Sequence, residues 1–433
     1  MGLAADGTGN LYISATLFNN ADFGSGSVSS AGSADLVVAK LDPASGNATW
    51  TKPFGDDQDQ FATGVAVSHS GQVAAIGNFF GSITAGNSIS NASSNPIDFI
   101  VGLNNADGTG LWAKSADTKL GGLLAIAGNP DRDEFVVCGY TMPCAASADP
   151  NDAGCTGPMT DLSLTGYVNS DKLEDIIIAK LNSATGAVVW AKQFGAAGTQ
   201  LCKAVTMDSS GNVFAAGVYN GDFGAGGLDT FGSSVQAIWV AKLDGATGAL
   251  VTAKDYGGNG LQAVNGIALD SSGNVAVTGN MQASLTFGGT TLTSAGGTDG
   301  FLAKLDPSLD PLWAKNWGDA KNQESHAVGF KSNGDIVVIG AMKGHATFGS
   351  TTLVAAGSAA TDAYWAKFTS DSSSSDCPAM IYGDIANQSA DFLAVSNGGT
   401  LNVAGFNKGT IDFGNGKSLT SAVSTGFVVQ IGP

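Results

Sequence analysis

The stretch Gly266-Ile-Ala-Leu-Asp270-Ser-Ser-Gly-Asn274-Val-Ala-Val-Thr-Gly279 decides the fold. Two short apolar runs flank a Gly/Asn turn, which is the pattern of a β-hairpin. The same sentence returns as Val205-Thr-Met-Asp208-Ser-Ser-Gly211-Asn212-Val-Phe-Ala-Ala-Gly217. Looser copies begin at Leu3, Val65, Leu124, Phe330 and Leu393, giving seven hairpins about 61 residues apart.

Each repeat holds four candidate strands, A to D. Strands A and B form the hairpin. A connector follows with an aromatic-glycine step, as in Phe23-Gly24, Phe223-Gly224, Phe287-Gly288, Phe348-Gly349 and Phe413-Gly414. Strand C reads Asp35-Leu-Val-Val-Ala-Lys40-Leu-Asp42, Asp175-Ile-Ile-Ile-Ala-Lys180-Leu-Asn182 and Asp299-Gly-Phe-Leu-Ala-Lys304-Leu-Asp306. Strand D reads Trp50-Thr-Lys-Pro-Phe54-Gly55, Trp190-Ala-Lys-Gln-Phe194-Gly195 and Trp313-Ala-Lys-Asn-Trp317-Gly318, and decays in repeats 4 and 6. A four-stranded sheet cannot bury both faces alone, whereas stacking such sheets radially covers each with its neighbours. The expected fold is all-β: one seven-bladed β-propeller domain of four-stranded antiparallel blades over 1–433. The blades fall at about 1–60, 61–122, 123–200, 201–262, 263–323, 324–388 and 389–433. The last blade stops at strand C and must lack or borrow its outer strand.

These motifs, recurring in one order over nearly the whole chain, resemble the seven-bladed β-propeller repeat family known as SBBP. The resemblance implies a secreted or surface-exposed bacterial protein. It implies no reaction, because a scaffold does not fix chemistry.

Composition narrows the partners. With 19 basic and 37 acidic residues the net charge is −18, which opposes nucleic acid or an anionic membrane. No run of 18 apolar residues is present, so no membrane insertion is expected. Residues 1–6 lack the basic and apolar regions of a signal peptide, so an export signal is not part of this sequence and the natural protein is expected to extend further at its N-terminus. Five cysteines occur, at 138, 144, 155, 202 and 377; Cys144 and Cys155 flank a loop that a local disulfide would staple. His69, His326 and His345 are scattered, so no zinc site and no metal centre is expected.

Alternating strands put the A–B and C–D turns on one face and the irregular B–C and D–A loops on the other, where function is expected. Two features stand there. An insertion at about 140–172 in blade 3 carries Asp149, Asn151 and Asp152, oxygen ligands at loop spacing for calcium but without the downstream glutamate that a calcium loop uses; it reads first as an inert surface loop, next as a protein or glycan site, and last as a calcium loop. A glutamine follows the strand-D aromatic by six residues, giving Gln60, Gln200, Gln262, Gln323 and Gln388. These could form a binding ring of amides, or could satisfy backbone groups of the D–A loop. The recurring lysines of strands C and D read as structural, and the strand-D tryptophans as packing between blades.

The leading functional reading is a non-catalytic extracellular binding or structural module, free of cofactors, presenting one loop face to a protein or glycan. A second reading is a hydrolase or lyase acting on polysaccharide, with Asp56, Asp57, Asp59, Asp117, Glu324 and His326 as the available acids and base. A third is a subunit of a surface assembly joined through the incomplete blade.

Overall fold

In the computed structural model the Asp270 turn closes through its own side chain. Asp270 Oδ1 accepts the amides of Ser272 and Asn274, both at 2.9 Å, and Oδ2 accepts Asn274 Nδ2 at 2.7 Å. Gly273 sits at φ 82°, a left-handed conformation glycine adopts without strain. Asp208 and Asn212 repeat the arrangement. The structure describes residues 1–116, 121–141, 173–196, 198–221, 223, 236–372, 377–396 and 398–432.

The chain is all-β, and no helix occurs among the described residues. Six antiparallel four-stranded sheets and one three-stranded sheet follow one another as the blades of a seven-bladed β-propeller. In blade 5 the strands are Gln262–Leu269, Val275–Met281, Asp299–Leu305 and Pro311–Trp317, paired in that order. The seventh blade has Gln388–Val395, Leu401–Asp412 and Ser418–Ile431, and ends there. Contacts group the chain into two compact units, one built on blades 1 to 3 with part of blade 4, the other on blades 5 to 7 with the rest of it.

Within each unit, both faces of a blade are covered. In strand B of blade 6, Ile336 and Val338 pack towards Ala276, Leu302 and Trp317 of blade 5. Their alternates Val337 and Ile339 pack towards Val403 and Phe427 of blade 7. The period-2 alternation of a strand therefore serves two cores, and each buried aliphatic side chain contributes roughly 1.5–3 kcal/mol. In blade 2 the same alternation sends Val73 and Ala75 one way, and Ala74 and Ile76 the other.

The connector between strands B and C is more ordered than its sequence suggests. In blades 1, 2, 5 and 6 it forms a two-stranded ribbon, such as Ser284–Phe287 with Thr290–Thr293 and His345–Phe348 with Thr351–Val354. The phenylalanine of the aromatic-glycine step ends or directly follows the first ribbon strand and packs against the strand-D aromatic of the preceding blade. Phe287 lies 4.7 Å from the Tyr256 ring, Phe348 5.3 Å from Trp317 and Phe413 5.2 Å from Tyr382.

Polar staples cross the same junctions. The indole N–H of Trp50, Trp112, Trp190 and Trp313 donates to the carbonyl of Asn105, Ser183, Gly245 and Ser370, each in the C–D turn of the next blade. The strand-C lysines run beside them. Lys180 is buried, pairs with Glu134 at 2.6 Å and donates to the carbonyls of Gly211 and Gly245. Lys304 is also buried and donates to Ser370 O at 3.1 Å. Both residue types are thus structural, as their register implies.

A covalent link joins blades 3 and 4. Cys138 of strand B and Cys202 of the following strand A form a disulfide across 64 residues. Cys144 and Cys155 lie outside the described residues. Closing a loop of that length restricts the unfolded chain by about 4 kcal/mol on the chain-entropy model. The Cys138→Ala/Cys202→Ala variant should therefore lose about that much in chemical denaturation; a loss below ~1 kcal/mol would show the bridge to be energetically idle.

Candidate functional site

The D–A corners gather the most polar chemistry. Gln60, Gln200, Gln262, Gln323 and Gln388 each open strand A and are all buried. The main-chain amides of Gln60, Gln323 and Gln388 donate to Ala34, Thr298 and Thr361, the residues just before strand C of the preceding blade. Gln60 Nε2 donates to Asp56 Oδ1 and to Phe80 O, both at 3.0 Å. Gln323 Nε2 donates to Asp319 Oδ1 at 2.7 Å and to Lys343 O. Gln388 repeats this with Asp384 and Lys408, and Gln262 reaches the carbonyls of Asn259 and Ser284. The amides thus satisfy the loops that carry them, which is what a buried loop requires.

The corner aspartates tie the D–A loop to the next B–C ribbon. Asp56 Oδ2 accepts both the amide and the hydroxyl of Ser82 at 2.7 Å. Asp319 Oδ2 accepts the His345 amide at 3.0 Å, and Asp384 Oδ2 the Thr410 amide at 2.7 Å. Burial works against ionisation of Asp56 and Asp319, yet these donors hold both below the usual carboxylate range. The backbone amides of Thr410 and Ala386 do the same for Asp384. The sequence signal is Gly-Asp-x-x-Asp/Asn-Gln, present at Gly55–Gln60, Gly318–Gln323 and Gly383–Gln388. Asp57 and Asp59 follow Asp56 in the first of these loops, where Asp59 takes a hydrogen bond from Ser33.

A second polar cluster lies on strand A of blades 6 and 7. Strand A carries a β-bulge, with Thr63, Leu124, Asn265, His326 and Asp391 as the extra residues. A bulge re-aims its side chain along the sheet edge. Thr63 Oγ1 donates to Leu123 O and Asn265 Nδ2 to Ser325 O, each the carbonyl just before the next blade's bulge. His326 follows the rule, with Nδ1 3.1 Å from Ala390 O, and adds charge. Its Nδ1 is 2.8 Å from Asp391 Oδ1 and its Nε2 is 3.4 Å from Glu324 Oε2. Ser389 Oγ donates to the other Asp391 oxygen at 2.9 Å. Burial alone would lower the imidazole pKa, but the two carboxylates outweigh it and raise it to about 9. With both ring nitrogens donating, His326 carries its proton at neutral pH and presents no lone pair for use as a base. Glu324, 42% exposed, is the open end of the cluster.

Of the residues singled out from sequence, Glu324 and His326 come together, and Asp391 completes them. Asp56, Asp57 and Asp59 share one corner. Asp117, Asp149, Asn151 and Asp152 lie outside the described residues. No group of three histidine, cysteine or acidic side chains is placed to hold a metal among the described residues. No helix there is long and apolar enough to cross a membrane.

The family comparison agrees with this fold. The sequence model of the family described as Beta-propeller repeat (SBBP) matches residues 189–224, from strand D of blade 3 through strand B of blade 4. The chain is a seven-bladed β-propeller carrying a repeat of that family. No curated protein matches it. Among solved structures it is similar to the Dos1 propeller, with TM-score 0.43 and 13% identity over 86% of this chain and 71% of that one. A quinohemoprotein alcohol dehydrogenase from Pseudomonas putida HK5 gives TM-score 0.40 and 11% identity, over 87% of this chain and 62% of that one. The acylaminoacyl peptidase of Pyrococcus horikoshii gives TM-score 0.44 and 10% identity, over 92% and 47%.

The His326 pair makes a pH prediction. A histidine raised from 6.5 to about 9 contributes stability that is complete below pH 6.5 and is lost as pH rises through 9. The contribution is at most ~3 kcal/mol. Wild-type stability should decline over pH 6.5–9, and His326→Gln should flatten that decline; parallel profiles would refute it.

Proposed function

We propose that this protein is an extracellular binding and structural module that takes a protein partner through the open edge of its seventh blade. One observation carries the reading. Strand Ser418–Ile431 pairs with Leu401–Asp412 on one side, and no strand pairs with its outer edge among the described residues. A long unpaired edge is a template for strand addition.

The other blades specify the occupant. In blade 1, Trp50 lies beside Lys40 and Phe54 beside Leu36; in blade 5, Trp313 lies beside Lys304 and Trp317 beside Gly300. Pairing with strand B makes Gln430 and Gly426 the equivalents of these two positions in blade 7. An incoming strand would set a tryptophan against Gln430 and, four residues on, an aromatic against Gly426. The partner segment is therefore extended, of the form Trp-x-x-x-aromatic-Gly. Exposed Leu419 and Val423 continue the apolar part of this edge. The Cys138–Cys202 bridge supports an oxidising compartment outside the cytoplasm, and the net charge of −18 suits a soluble surface module.

A peptide with the sequence of residues 188–196, which is strand D of blade 3 with its trailing glycine, tests this. It should bind the intact protein, raise its Tm and protect backbone amides of 426–431 from hydrogen exchange. A peptide with alanine at both aromatic positions should do none of these. Absence of protection at saturating peptide would sink the reading.

A further inference from the structure

In two corners an aspartate oxygen and a glutamine oxygen lie over the same glycine. Asp35 Oδ2 accepts the Ala31 amide at 2.6 Å, and Asp362 Oδ2 accepts the Ala356 amide at 2.6 Å. Their other oxygens, Asp35 Oδ1 and Asp362 Oδ1, are buried with no hydrogen-bond partner. Gln60 Oε1, in the same corner as Asp35, is likewise buried and unpartnered, whereas Gln388 Oε1 accepts the Asp384 amide at 3.2 Å, so that Asp362 Oδ1 is the unpaired oxygen of its corner. Both oxygens of each pair close over one glycine. A Cβ on Gly55 would lie 2.0 Å from Gln60 Oε1 and 2.6 Å from Asp35 Oδ1. On Gly383 it would lie 2.6 Å from Gln388 Oε1 and 2.4 Å from Asp362 Oδ1.

Turning the glutamine amide over does not resolve this. Gln60 Nε2 already serves Asp56 Oδ1 and Phe80 O, and Gln388 Nε2 serves Asp384 Oδ1 and Lys408 O. A flipped amide would set its oxygen against two acceptors. Buried unpaired oxygens cost about 1–3 kcal/mol each, so a donor is required. The glycine is there because a methyl group would not fit, and a proton is the one donor that needs no volume.

We propose that Asp35 and Asp362 fold as carboxylic acids, each bound to one solvent-derived proton that its Oδ1 donates towards the glutamine oxygen of its corner. The resulting chain runs from an ionised carboxylate through an amide to a neutral carboxyl: Asp56 to Gln60 to Asp35, and Asp384 to Gln388 to Asp362. The electrostatic setting agrees. Burial raises the affinity of both acids for a proton and outweighs the amides of Ala31 and Gly32 on Asp35 and of Ala356 on Asp362, and the charged groups facing them are acidic: Asp56 and Asp59 for Asp35, and Asp384 for Asp362. Asp299, over Gly318 in a third corner, is raised by burial too, but Ser294 Oγ, 3.1 Å from its Oδ1, offers a donor of its own.

The site makes folding take up protons. An acid whose folded affinity exceeds its unfolded value of 3.8 gives stability that is complete below pH 3.8 and falls as pH rises through the folded value. The Asp35→Asn/Asp362→Asn variant keeps the acceptor for Ala31 or Ala356 and supplies an N–H for the glutamine. It should be at least as stable as wild type at pH 7, and its unfolding midpoint should lack the wild-type decline above pH 4. A variant less stable by the same amount at every pH would overturn the proposal. Carbon-13 NMR of wild-type aspartate carboxyls gives an independent readout: two resonances should remain in the protonated range well above pH 4, each lost in one single variant. Complete titration of all aspartates at or below pH 4 would equally overturn it.

Discussion

A β-sheet that is apolar on both faces has no stable existence alone, and the organisation of this chain follows from that constraint. Ile336 and Val338 need one neighbour while Val337 and Ile339 need another. Every strand B and C therefore reads as a near-continuous apolar run, unlike the one-sided alternation of a half-solvated sheet. The constraint also fixes where polarity can go. With blade faces committed to packing, hydrogen-bonding side chains are confined to the ends of strands and to the narrow lines where blades meet.

Those lines use a repeated division of labour. At one end, tryptophan and lysine of strands D and C reach carbonyls in the next C–D turn, as Trp190 and Lys180 both reach Gly245. At the other end, glutamine and aspartate lock the D–A corner. Along strand A, the bulge residue reaches the neighbouring strand A. Each staple satisfies a backbone carbonyl or amide at a blade junction, so its value lies in the penalty avoided more than in the bond made. Glycine in strand B has a matching cause. A Cβ on Gly279 would come within 1.9 Å of Ala263 O, the carbonyl displaced by the strand-A bulge.

Blade number, strand order and the missing outer strand were legible in the sequence because the Asp-x-x-Gly-Asn turn encodes its own hydrogen bonds and repeats. The glutamines were legible as a spacing, and satisfying the D–A loop was one of two readings of them, although the particular acceptors, Phe80 O and Asp56, were visible only in the structure. The ribbons were missed because small polar residues such as Thr290–Thr293 mimic loop composition. The Cys138–Cys202 bridge was missed because its two cysteines fall in different repeats and on different strands. Asp391 was missed because a bulge shifts it by one residue from simple alternation, and only that shift brings it to His326.

The degenerate corners show that the aspartate and glutamine act as a unit. In blade 2 the strand-C position is Ile97, and the residue opening the following strand A is Gly122; acid and amide are lost together. Removing only one member strands the other without a donor or an acceptor, in a place water does not reach. In blade 4 Ala237 replaces the acid while Gln262 remains, and Gln262 Oε1 is buried with no partner, with no strand-C carboxyl at that position to serve it. The same blade has Thr252 where its neighbours carry the stapling tryptophan. A repeat can therefore drop both halves of a polar pair without leaving either one stranded. Dropping one half leaves an amide without its acid, as at Gln262.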